Sequence, residues 1–328
     1  MSLSRRQILQ ASLGAPLLTQ LTPHAHAQSL DLARIAIGFP AGGTMDAVSR
    51  QVADKLQPDY ARSVIVESRA GAGGQVVIQH MKSAPADGST ILLTPMSILG
   101  VYPHTYKKLA YDPQTDLTPV SCGVSYNYGF AVGPAVPASV TTIPQFIEWC
   151  KANPAKASFG SGATGSTLHF TGLLLGRAGG VELTHAGYRG SAQMLTDLAG
   201  GNLTACSSPV GDLLAYQAAG RLRVIGTSGA KRSRFLPNVP TFTEYGYKDM
   251  AFTEWYGFYL PARAPQAQVQ RLNKALATTL THPAVVESLA LMGMEPTPSS
   301  PAELDAMLKS DTARWGKLVG GIGFTADS

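Results

Sequence analysis

From residue 33 onward the apolar positions follow two alternating periods. "ARIAIGF" (33–39) is a continuous apolar, β-branched run that predicts a buried strand. After "PAGGTMD", Val48, Val52 and Leu56 recur every four residues, the spacing of an amphipathic helix. "SVIVES" (63–68) predicts a second strand, "VVIQHMKSA" a short helix behind the glycine turn "RAGAGGQ", and "STILLTP" (89–95) a third strand. Strand–helix–strand–helix–strand predicts a parallel, doubly wound α/β sheet. A second stretch repeats this grammar. Its helices are "IPQFIEWCKANP", "STLHFTGLLLGRAG", "AQMLTDLAGG" and "GDLLAYQAAG", and its strands are "KASFGSG", "LTHAGY", "LTACSS" and "RLRVIGTS". "FTEWYGFYLPA" then reads as a strand, and two helical segments close the chain, "PQAQVQRLNKALATTLTHPAVVESLALMG" and "SPAELDAMLKSDTARWGKLVGG". The latter has Ser300 placed as N-cap, Pro301 at the first helical position and Glu303 in the first turn. The pattern predicts two α/β lobes with more than one chain crossing between them.

Composition narrows the class. Charged residues make up 14% of the chain, against about 25% in a typical globular protein. The 34 glycines and 22 prolines are scattered singly, not gathered in a low-complexity tract, so many short elements and tight turns are expected. Ahead of the first strand, "MSLSRRQILQ" sets Arg5 and Arg6 before a weakly apolar segment, and "AHAQ" offers small residues at Ala25 and Ala27. Residues 1–27 are therefore expected to be a Tat-like export signal cleaved near Ala27/Gln28. Its loss removes two positive charges from a formal net charge of +5, leaving a surplus too mild and dispersed to suggest nucleic acid. No apolar run reaches the ~18–20 residues of a transmembrane helix, and a soluble periplasmic protein is expected. Cys122, Cys150 and Cys206 are too widely spaced for a metal or redox motif and read as small buried apolar residues.

Three glycine-bearing loops carry the candidate chemistry. "GFPAGGTMD" (38–46) joins a strand to a helix, "GSGATGST" (160–167) does the same, and "YRGSAQMLTDL" (188–198) leads into a third helix. Unpaired amides at helix N-termini attract carboxylate or phosphate without a cationic side chain. Three such loops at one end of parallel sheets favour an anion cradle over mere tight turns. Gly160, Gly162 and Gly165 have the Gly-x-Gly-x-x-Gly spacing of dinucleotide folds, with Glu182 near the expected offset. The preceding "KASF" is short and poorly apolar, the loop lies mid-chain and the periplasm supplies no nicotinamide, so no cofactor is expected. No nucleophile elbow, zinc helix or phosphate-binding lysine loop occurs, and neither a catalytic residue nor a metal site is expected. His169 fits a ligand-orienting or helix-capping role. Asp46 and Asp197 each fit a residue that holds its own loop closed by accepting backbone N–H groups, in preference to an acid–base pair.

"FPAGGTMD", "VESRAGAGG", "ADGSTILLT", "YKKLAYDPQTDLTPV", "GSGATGSTLH", "YRGSAQMLTDLAGG", "GTSGAKRS" with "LPNVPTFTEYGY", and "ARWGKLVGGIGF" together resemble the Bug receptors, the extracytoplasmic solute-binding proteins of tripartite tricarboxylate transporters. The resemblance spans the whole mature chain. It implies an α/β, two-lobed type II periplasmic-binding fold with a discontinuous first domain, residues 28–127 and 249–328, around a second domain, 128–248. It further implies a carboxylate pinched between Phe39, Pro40, Ala41, Gly42, Gly43 and Thr44 on one side and Gly162, Ser166, Thr167 and His169 on the other. Tyr188, Gly190 and Asp197 match the family's third segment, with Asp197 contacting a ligand group or supporting the pocket. Asp46 joins this ligand-binding set from the first loop. The implied partners are a small carboxylate ligand and integral-membrane transporter subunits, with the receptor itself a monomer and not an enzyme.

Several segments depart from the family's pattern. "PMSILGVYPH" puts Met96, Ile98 and Tyr102 where a small polar stretch is usual, Gln193 stands where Pro is usual, and "ACSSPVGD" replaces a stretch that commonly carries an acidic or amide group. These changes predict a pocket more apolar than that of an amino-acid or citrate receptor, with Tyr126 and Tyr128 near the hinge available to stack on a ligand. Two other functions remain open on the sequence: a secreted α/β hydrolase or transferase using His169 and Asp197, and a ligand sensor for a membrane-bound signalling partner.

Overall fold

The computed structural model describes residues 30–57 and 59–326; the export signal expected over residues 1–27 lies outside the described residues. The first lobe begins as its periodicity predicts, with β1 (Leu30–Ile37), α1 (Thr44–Leu56), β2 (Ala61–Ser68), α2 (Gln75–Ser83) and β3 (Thr90–Pro95). β1 pairs in parallel with β2 on one side and β3 on the other. Val48, Val52 and Leu56 are fully buried, so the four-residue stripe of α1 is the face laid on this sheet. Two short helices, α3 (Met96–Gly100) and α4 (Tyr102–Thr105), lead to β4 (Leu117–Tyr126).

A single residue, Asn127, separates β4 from β5 (Tyr128–Val132), which belongs to the other sheet. The second lobe continues through α5 (Ile143–Ala152), β6 (Ser158–Ser161), α6 (Thr167–Gly179), β7 (Thr184–Gly187), α7 (Ser191–Ala199), β8 (Ala205–Pro209), α8 (Val210–Ala218) and β9 (Arg223–Thr227). Its sheet order is β7-β6-β8-β5-β9. The chain then returns to the first lobe as β10 (Glu254–Pro261), followed by α9 (Gln266–Thr281), α10 (Pro283–Leu291), β11 (Glu295–Pro296) and α11 (Pro301–Ile322). The first sheet is completed as β11-β4-β10-β3-β1-β2.

Two sequence expectations need correction. The sheets are mixed, not wholly parallel: β5 runs antiparallel to β8 and β9, and β10 antiparallel to β3 and β4. The cause is where these strands start. The parallel strands end at the cleft between the lobes, whereas β5 and β10 begin there, directly after a crossing, and so run the opposite way; a parallel entry would need a crossover helix. The helical segment over 265–293 is also two helices. Pro283 cannot continue the hydrogen-bond ladder of α9 and instead opens α10, whose first turn the His282 ring caps by accepting from the Ala284 amide at 3.3 Å. At α11 the expected Ser300 cap forms a reciprocal capping box with Glu303. Among the described residues no helix is long and apolar enough to cross a membrane.

Candidate functional site

Between the lobes lies a cavity of about 250 Å³, at the carboxyl ends of the parallel strands where ligands of open α/β sheets bind. Besides the five-residue α3, whose preceding Pro95 lines it, four longer helices start on it. The residues preceding their first turns, Gly43 of α1, Ser166 of α6, Gly190 of α7 and Pro209 of α8, all line the cavity. None of them caps its helix with its own side chain; the Ser166 hydroxyl donates to the Ala163 carbonyl instead, at 2.6 Å. Away from the cavity the starts are mixed: α5, α10 and α11 are closed by a side-chain cap, whereas α2 and α9 are not. The first turns of these helices lend the cleft a positive field built from backbone dipoles, although at α1 the Thr44 amide is already taken by the Asp212 carboxylate. Arg189, exposed at the mouth, adds a full charge, and among the described residues it makes no ion pair.

One carboxylate opposes that field. Asp212, in the first turn of α8, reaches across the cleft to accept a hydrogen bond from the Thr44 hydroxyl at the start of α1, and a second from Ser208 at 3.3 Å. Burial pushes its carboxyl up to about 6, against the opposing pull of the Ser191 and Ser208 hydroxyls and the Thr44 amide. The remaining walls are largely apolar or aromatic, from Phe39, Met45, Leu168, Tyr126, Tyr128 and Tyr256.

Of the residues singled out in the sequence, Phe39, Pro40, Ala41, Gly43, Thr44, Gly162, Ser166 and Gly190 line the cavity, and Gln193, Tyr126 and Tyr128 join them. Gly42, Asp46, Thr167, His169, Tyr188 and Asp197 do not; they hold the loops that do. Asp46 accepts from the Gly42 amide at 3.2 Å and pairs with Arg50 at 3.0 Å. Burial would raise its carboxyl, but the Arg50 hydrogen bond and the Gly42 amide hold it below the ordinary range. Asp197 does its holding through a side chain and not through a backbone N–H: it accepts from the Tyr188 hydroxyl at 3.0 Å. The His169 ring accepts from the Gly165 amide at 3.1 Å and stacks on His185, whose Nε2 meets the Ser161 hydroxyl at 2.8 Å. Burial and the neighbouring His185 push His169 down to about 3, and burial pushes His185 down to about 4, so both are neutral. A hydrolase built on His169 and Asp197 is not assembled at this cavity, because neither residue reaches it.

The Gly-x-Gly-x-x-Gly run has a packing explanation. A Cβ on Gly160 would meet Leu203 at 2.7 Å, and one on Gly162 would come within 3.2 Å of the Gly190 backbone, while Gly165 takes a left-handed turn at φ +77°. These glycines bring two second-lobe loops together over the cavity. Met96, Ile98 and Tyr102 are buried behind it, where the Tyr102 hydroxyl donates to the Gly73 carbonyl at 2.9 Å; their neighbours Pro95 and Ser97 face it instead. All three cysteines are buried and free.

Among the residues that escaped the sequence reading are Asp212, Arg189 as a cavity cation, the wall residues Met45, Leu168 and Tyr256, and, outside the cavity lining, Glu254. Glu254 opens β10 in the first lobe, yet its carboxylate accepts from Tyr128 and Thr167 of the second lobe, each at 2.6 Å, and from the Ser97 amide at 2.8 Å. Burial pushes it up to about 7 against those three donors. A lone acid in the apolar run "FTEWYGFYLPA" was the available signal. Among the described residues no group of three His, Cys, Asp or Glu side chains is placed to hold a metal ion.

Comparison with known proteins gives a consistent result. The family described as the tripartite tricarboxylate transporter family receptor matches residues 48–324. The UPF0065 protein of the tcbD-tcbE intergenic region of Pseudomonas sp. (strain P51) is 31% identical over 97% of this chain and 94% of its own. Protein BugT of Bordetella pertussis is 28% identical over 95% of this chain and 94% of its own. Among solved structures, the periplasmic binding protein BugD has a TM-score of 0.84 at 27% identity, covering 90% of this chain and 98% of that one. An R. palustris protein solved with adipate has a TM-score of 0.85 at 29% identity, with the same coverage.

Proposed function

Since this chain belongs to the tripartite tricarboxylate transporter receptor family, we propose that it captures a small carboxylate between its lobes and delivers it to integral-membrane subunits of such a transporter. The observation that carries this reading is the convergence on a single cavity of four helix N-termini that their own preceding residues leave uncapped, one from the first lobe and three from the second. A carboxylate seated there accepts amides from both lobes at once and so draws them together. The R. palustris relative was solved with adipate, a carboxylate of a size that fits this cavity. In this reading residues 28–127 with 249–328, and 128–248, are the bodies that move, and Asn127 and the 228–253 segment are the joints. The chain is exported with its signal cleaved near Ala27/Gln28, acts as a monomer, and makes or breaks no bond.

The test is thermal unfolding of the mature protein against a panel of mono-, di- and tricarboxylates and amino acids, with sugars and NAD as controls. A bound acid at 100 times its Kd adds about 2.7 kcal/mol, a readily seen rise in midpoint. The expected outcome is a rise with one or a few acids only. A rise with NAD or a sugar and with no acid would overturn the proposal.

A further inference from the structure

We infer that the cavity selects a carboxylate whose skeleton also carries an amino group, with Asp212 as the residue that reads it; the inference rests on the carboxylate reading above. Within a cleft whose backbone field favours anions, Asp212 is a negative charge with no cationic partner among the described residues. Its oxygens face only neutral donors: the hydroxyl and amide of Thr44 on α1, Ser191 on α7, and Ser208 on β8. Cys206 on β8 and Tyr256 on β10 also lie near it, and burial raises both well above neutrality, so neither brings a charge. Arg189 lines the same cavity and does not pair with it. Hydroxyls and amides solvate a carboxylate but do not neutralise it, and its raised pKa, about 6, reports the shortfall.

A ligand carrying only carboxylates would bring a second negative charge beside this one. An amino acid brings both signs: its carboxylate meets the first turns of α6 and α7 and the Arg189 guanidinium, and its ammonium meets Asp212. Asp212 is also part-exposed and lines the cavity, so a ligand cation seated there lies beside it. The pocket expected from the sequence departures to be more apolar than that of an amino-acid or citrate receptor is thus apolar in its walls and, in this inference, dipolar in its polar groups.

The experiment uses four probes of one chain length, hexanoate, adipate, 2-aminohexanoate and 6-aminohexanoate, titrated calorimetrically into the mature protein and its Asp212→Asn variant. One of the two amino acids is expected to bind at least about tenfold more tightly than hexanoate, the worth of one charge-assisted hydrogen bond. In D212N that ratio is expected to fall to near one. The amino acid's affinity for the unaltered protein should also rise between pH 5 and pH 7 as Asp212 ionises, a readout that holds even if the variant does not fold. Equal or tighter binding of hexanoate or adipate, or adipate binding that strengthens toward pH 5, would overturn this inference alone, since Asp212 would then be tolerating or protonating toward an acid. Should all four probes and the wider carboxylate panel leave the protein untouched, the carboxylate reading goes and this inference with it.

Discussion

At pH 7 the Asp212 carboxyl, lifted by burial from its ordinary 3.8 to about 6, is ionised in a place that resists ionisation. A raised carboxyl pKa means the folded state holds the proton more tightly than the unfolded one. Its contribution is intact below about pH 4 and is lost as pH rises through about 6. Replacing Asp212 with Asn removes that loss, so D212N without ligand is expected to be more stable at pH 7 by up to about 3 kcal/mol and no more stable at pH 4. Urea unfolding at the two pH values decides it; an equal gain at both would mean the benefit is packing and not charge. Asp212 was visible in the sequence but its role was not. It sits in the "ACSSPVGD" stretch that stood out for lacking a usual acid, and nothing in its spacing says that the first turn of α8 faces Thr44 across the cleft. His169, by contrast, lay one turn into its helix behind a glycine loop, and that spacing does announce a ring that ties down the loop.

At the scale of elements, the cavity exists because glycine loops let helix starts crowd together. Gly162 is where the loops before α6 and α7 meet backbone to backbone, with a Cβ there 3.2 Å from the Gly190 backbone. Gly162→Ala is expected to push the Gly190 turn outward, costing about 1 kcal/mol of stability and weakening ligand binding further, because the amides of α6 and α7 no longer converge. Gly320→Ala is the control: it lies on the exposed side of α11 with nothing within 4 Å of a Cβ, and should gain about 0.5–1 kcal/mol from helix propensity with binding unchanged. Chemical unfolding and calorimetric titration of both variants check this; G162A binding as tightly as the parent would detach the loops from the site. The helices and the β1, β2 and β3 strands were legible, since each carries its own period and its own punctuation. β4 and β5 were not. "SCGVSYNYGFAV" runs from one sheet into the other through Asn127 alone, with no turn residue to mark the change. The pairing of β10 with β3 and β4 joins segments more than a hundred residues apart, and local pattern carries no information about that.

For the molecule as a whole, four buried titrating groups sit at the meeting of the lobes and act in opposite directions. Glu254, pushed by burial from 4.5 to about 7, ties β10 of the first lobe to Tyr128 and Thr167 of the second. Like Asp212, it favours the folded state at low pH and loses that advantage as pH climbs through its raised value. His169 and His185, pushed down from 6.5 to about 3 and about 4, do the reverse. Their depressed values mean the unfolded chain binds more protons, so their contribution is present above about 6.5 and is lost as pH falls. Between about pH 5 and pH 7 the extra protons on the carboxyls and the missing protons on the imidazoles both shrink together, from nearly two to about one-half, so the slopes largely cancel. The unliganded protein should therefore show nearly flat stability across that window and a decline below it. Single substitutions expose the hidden slopes with opposite signs. Glu254→Gln keeps an oxygen for the Ser97 amide and removes a proton site, so stability should now fall on acidification from pH 7 to pH 5. His169→Asn keeps an acceptor for the Gly165 amide, and its stability should instead fall as pH rises over the same interval. Denaturant midpoints of the three proteins at half-unit pH steps measure this directly. Parallel curves would mean that these four groups do not set the pH response, and that the hinge and the loop beneath the cavity are held by packing alone.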